Sequence, residues 1–220
     1  MIWTIVLLIW LLNFAISCFN AWSVGRSWVE TKAAGGWPRF LAWMGAIMSA
    51  CGFTWCFLIA EAVLVWKLDY LSIEYVQAML SLGYLVIILP ILGSGLALTM
   101  DSWAYFWRRR NFRSGAVAGW NSFAQVYNTY QAVSAIPDAL DHVIHVFSKK
   151  DSDSDSKSVL VILLVVVAIL GGVLTTTLII RATARSHAGA IKGKSWFPRA
   201  NRGAERPEYP FSQRPRGAGW

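Results

Sequence analysis

Apolar residues run almost unbroken through four stretches of the chain, 2–21, 40–66, 75–100 and 159–180. A bilayer core of about 30 Å takes roughly 20 residues of helix, and each stretch reaches that length. None contains Lys or Arg, and Glu61 is the one acid among them. They are predicted transmembrane helices. The second and third exceed the minimum, so they should tilt or project past the headgroups. No Lys or Arg precedes Arg26, and a signal peptide needs a basic start. The first stretch therefore reads as a retained helix.

A fifth region, 114–147, has another pattern. Asn121, Gln125 and Asn128 align on a helical wheel, flanked by Ser122 and Thr129, with Trp120, Phe123, Tyr127 and Tyr130 opposite. The polar stripe carries no charge. A helix lying on a membrane normally puts Lys and Arg on that face, whereas an amide stripe suits a bundle interior or a wet cavity. Two readings follow: an interfacial or protein-docked amphipathic helix, or a fifth span whose amides need partners.

Composition narrows the class. Of 220 residues 56% are hydrophobic and 15% charged, against about 45–50% and 25% in soluble domains. Thirteen Trp suit long water–lipid boundaries. Three Cys exclude a disulfide-stapled scaffold. Cys18, Cys51 and Cys56 fall inside spans, where thiols act as small apolar groups. There is no HExxH, phosphate-binding Gly loop or CxxC. Gly93-Ser94-Gly95 has no histidine in any span to pair with. The expectation is an all-α integral membrane protein that is no enzyme and needs no cofactor.

Charge sets the orientation. The net charge is +8, and basic residues favour the cytoplasmic side. Arg26, Lys32 and Arg39 fill the first loop, and Arg108, Arg109, Arg110 and Arg113 open the third, while the second holds only Lys67. The N-terminus is expected outside, in a bacterial inner membrane. Four spans would leave Arg181, Arg185, Lys192 and Lys194 outside as well. A fifth crossing brings them inside and puts the acidic stretch 138–155 outside. The expected organisation is a three-helix region 1–100, a basic and amphipathic segment 101–148, and a Ser/Asp tether 149–158. The last span 159–181 and a disordered basic tail 182–220 follow.

Candidate chemistry is sparse. Glu61 lies about 9 Å along a helix from Lys67, so it reads as interfacial, or as part of an ion pathway if it sits deeper. Asn13 needs a polar partner on another helix. Together with the Asn121, Gln125 and Asn128 stripe, these are candidates for lining a pore or for packing. Small residues at fourfold spacing mark close helix contact: Gly45 with Ser49, Gly93 with Ala97, Ala168 with Gly172. Pro90 should bend its helix. Asp138, Asp141, His142 and His145 share one helical face with metal-capable side chains; alternatively Pro137 starts a helix there and the acids answer its dipole. Arg108, Arg109, Arg110, Arg113, Lys192 and Lys194 suit anionic lipid headgroups or a docking partner. Nucleic acid is not expected.

Few spans, short loops and a charged C-terminal tail make the layout similar to that of holins and of small inner-membrane subunits of secretion or conjugation machines. That likeness is of layout and assigns no residue a role. The expected function is a non-enzymatic subunit or scaffold of a membrane assembly, homo-oligomeric or with other membrane subunits. A holin-like pore is the alternative, and a metal-dependent membrane enzyme the third reading.

Overall fold

In lipid every backbone N–H must find a carbonyl within its own segment, and all four apolar stretches accordingly lie inside single long helices. The computed structural model describes residues 2–31, 36–148 and 152–194. These form α1 (Ile2–Thr31), α2 (Gly36–Lys67), α3 (Ile73–Arg109), α4 (Phe112–Phe147) and α5 (Ser152–Lys194), with no strand among the described residues. Four of them, α1, α2, α3 and α5, are long and apolar enough to cross a membrane. The chain is an all-α, multi-pass integral membrane protein.

Several expected boundaries move. The helix of 75–100 continues through Arg109, and only Arg110 and Asn111 separate α3 from α4. Arg110 turns the chain with φ 47°, its N–H donating to Phe106 O at 2.7 Å, and Asn111 caps α4 by accepting from Ser114 N at 2.8 Å. Pro137 does not start a helix. It lies inside α4, where its missing N–H costs one internal bond. The tether expected over 149–158 is shorter, because α5 begins at Ser152; Asp155 then falls in its first turn, where the dipole favours acids. The tail does not begin at 182 either: α5 runs on to Lys194, because extending an existing helix through Ala182, Ala184 and Ala188 costs little. Lys32, the side chains of Lys192 and Lys194, and the tail from 195 onward lie outside the described residues.

Packing places α2 at the centre, against α1, α3 and α5; α5 also lies on α1, and α4 lies on α3 with a lesser contact to α5. Among the described residues α4 meets neither α1 nor α2. Leu58, Met79 and Val161 are fully buried where α2, α3 and α5 meet. Phe53, Ala21 and Ile180 close the seam of α1, α2 and α5.

The helix ends gather into two groups. At one end Arg39 donates to Trp28 O at 3.3 Å, Trp37 Nε1 donates to Asp101 Oδ1 at 3.1 Å, and His187 meets Glu30 at 3.2 Å. These contacts tie together the ends of α1, α3 and α5 and the start of α2. At the other end Leu71 and Tyr75 share a cluster with Val146 of α4 and Val161 of α5. Arg26, Arg39, Arg108, Arg109, Arg110, Arg113, Arg181 and Arg185 all fall at the first end.

Candidate functional site: an amide-lined crevice beside α4

The stripe on α4 is half-buried, and its upper part faces α3. Along the α3–α4 seam Phe106 lies over Gly115, Thr99 Oγ1 donates to Asn121 O at 3.3 Å, and Gln125 Nε2 donates to Leu92 O at 3.1 Å. The two helices stay antiparallel in register down to Tyr75 and Val146. α4 therefore runs the full length of the bundle. Its outer face is aromatic: Trp120 is 69% exposed, Phe123 63% and Tyr130 69%. The amide face of α4 is thus turned toward α3 and its aromatic face away from the bundle.

The three stripe amides occupy different surroundings. Asn121 lines a groove of about 730 Å³ at the basic end, with Asp101, Tyr105 and Arg113. Gln125 packs its amide over Gly95, where a Cβ would collide with it, and its Oε1 is buried with no hydrogen-bond partner. Asn128 lines a second crevice of about 240 Å³, with Asn13 of α1, Cys51, Gly52 and Trp55 of α2, Tyr84 and Ile88 of α3, and Gln131. Gln125 stands between the two spaces. We expect Gln125→Leu to shift unfolding by less than about 1 kcal/mol, since interhelical bonds in membranes average about 0.6 and the unpaired oxygen leaves with it. Denaturation in mixed detergent checks this.

Polar side chains of other helices reach the crevice or its edge. Asn13 finds its partner across α2, donating to Gly52 O at 3.3 Å, and beside it Trp10 Nε1 donates to Cys56 O at 2.8 Å. Tyr84 OH is buried with no hydrogen-bond partner. Gln131 Nε2 donates to Tyr127 OH at 3.0 Å on the exposed side. Amides and a hydroxyl therefore converge between α2 and α4, two helices that do not touch.

Other candidates are placed apart. Glu61 stays about 9 Å from Lys67 and lines neither space; its Oε2 is buried without a partner. Asp138, Asp141, His142 and His145 are exposed, and no group of three His, Cys, Asp or Glu suited to a metal occurs among the described residues. One helical face spreads its side chains along the axis, and no second helix brings a further ligand to them. Gly45 packs on Val24, Gly172 on Ala50 and Thr54, while Ser49, Ala97 and Ala168 are buried. Gly93 has nothing near it. Arg109, Arg110 and Arg113 are exposed at the basic end.

Sequence reading missed Gln131 and Tyr84. Gln131 continues the stripe by three residues from Asn128 and was there to be found. Tyr84 looks like any boundary tyrosine until α4 is laid beside it. No known protein family, curated protein or solved structure matches this chain.

Proposed function

We propose that this protein is a non-enzymatic, five-crossing subunit or scaffold of a membrane assembly, homo-oligomeric or with other membrane subunits. Its basic end lies in the cytoplasm of a bacterial cell and its N-terminus outside. The crevice carries this reading. Acyl chains entering it would strand Asn128, Gln131 and the Tyr84 hydroxyl, at a cost that polar groups in hydrocarbon do not sustain. A polar side chain from a neighbouring transmembrane helix satisfies them instead. The placement of α4 supports the same view. It is the least apolar crossing helix, yet it sits at the bundle edge and leans only on α3 and lightly on α5. The small-residue faces add nothing to it, because all except Gly93 are used within the chain.

A photoreactive amino acid at Gln131 tests this in native membranes. The expected product is a discrete protein adduct, with none from the same probe at the lipid-facing Leu89. A monomer in mild detergent that yields only lipid adducts from both positions would sink the proposal.

A further inference from the structure

A third space lies on the opposite side of the bundle from α4, between α2 and α5. It measures about 480 Å³ and is walled by Trp43, Ala46 and Ile47 of α2 and Val173 and Thr176 of α5, with Trp28 across its top. Apart from Thr177, whose hydroxyl is taken up within α5, its walls are apolar with two exceptions. Thr176 is 4% exposed, and its hydroxyl has no hydrogen-bond partner. The next residue, Thr177, satisfies its own hydroxyl by donating to Val173 O at 2.8 Å. A buried hydroxyl without a partner costs about 1–3 kcal/mol, so Thr176 calls for an acceptor from outside the chain. The second exception is Arg181, exposed at the mouth. Arg39 is nearby, its guanidinium 3.5 Å from the Trp28 ring.

We infer that this groove holds one anionic phospholipid of the leaflet at the basic end. Charge complementarity selects the headgroup, because Arg181 supplies a guanidinium at headgroup level and a phosphate takes two parallel hydrogen bonds from it. Thr176 lies about 7.5 Å deeper along α5, where a lipid phosphorylated at glycerol carries its ester carbonyls. The Thr176 hydroxyl donates to one of these. One acyl chain then runs down between Ala46, Ile47 and Val173. Trp28 and Trp43, edge to face with centroids 5.2 Å apart, cover it at the interface, where indoles are favoured. The inference does not rest on the assembly reading. It needs only α2 and α5 as spans.

Native mass spectrometry of the full chain in detergent, with added phosphatidylglycerol or phosphatidylcholine, tests it. The wild type should retain one phosphatidylglycerol in clear preference to phosphatidylcholine. Arg181→Gln should weaken retention about fivefold, the effect of one interfacial charge. Thr176→Val, which keeps the shape, should weaken it about threefold. Val173→Trp fills the groove from an exposed position and should abolish retention without challenging the fold. Arg113→Gln, in the other groove, should leave it unchanged. Equal retention of the two lipids, or undiminished binding by Arg181→Gln and Val173→Trp, overturns the inference. So does a dimer that covers the groove and excludes lipid.

Discussion

Cysteines introduced at Tyr70 and Ser148 should react with a membrane-impermeant maleimide from one face of the membrane, and a cysteine at Phe112 from the other. The physical argument is one of ends. α3 finishes beside the start of α2, where Trp37 meets Asp101. α5 starts beside the α2–α3 turn, where Val161 meets Leu71 and Tyr75, and finishes beside α1, where His187 meets Glu30. If α3 and α5 both cross, the chain between them has to return, and α4 is the segment that does so. Three of its hydroxyls are provided for: Ser122, Thr129 and Ser134 each donate to a carbonyl of their own helix, at 3.0, 2.8 and 3.0 Å. Gln125 bonds across to α3. In the proposed orientation Arg181 and Arg185 also need not be moved against the potential, worth about 2.3 kcal/mol per charge per 100 mV. Tyr70 is 65% and Phe112 93% exposed, so labelling reports side and not burial. Labelling of Ser148 and Phe112 from the same side would return α4 to the membrane surface and reduce the crossings to four.

The second large effect is expected at Gly172. A Cβ there would come within 2.7 Å of both the Ala50 carbonyl oxygen and the Thr54 nitrogen. These are backbone atoms and cannot swing aside, so Gly172→Val has to push α5 away from α2. Overpacking of this kind costs about 1–3 kcal/mol, and the displaced helix loses contacts along Ala168 and Thr176 as well. Gly93→Ala is the contrast, because nothing lies within 4 Å of a Cβ at Gly93. Unfolding in mixed detergent should show a clear drop for the first variant and little change for the second. Similar midpoints would mean that the α2–α5 seam tolerates more separation than its geometry implies.

Much of this architecture could be read from hydropathy, because lipid forces any long apolar run to be a helix. The amide stripe on α4 was equally visible, and its lack of charge pointed inward. What periodicity could not supply was direction. Whether α4 rests on the surface or returns through the bundle depends on where α5 begins relative to Leu71, a contact between residues far apart in sequence. The same limit applies to the small residues. Gly45, Gly93 and Gly172 look alike in sequence, yet one packs on α1, one on nothing and one on α2. The face of Asp138 and His142 shows the same limit: helical spacing aligns side chains along one face but does not converge them. Lengths erred where propensity continued past hydrophobicity, at Ser152 and beyond Arg181.

The closure of α5 on both α1 and α2 bears on how the protein is made. Translation delivers α5 after the other four helices, so the surfaces around Gly25, Ala50 and Thr54 that it covers stay bare until it arrives. The nascent protein must therefore wait in the bilayer as an unfinished bundle, with α4 held almost wholly by α3. Insertion machinery that shields this seam would shorten the wait, and proteases that survey the membrane would find in it the mark of an uncompleted chain. A lesion in α5 therefore acts on the survival of the four helices synthesised before it.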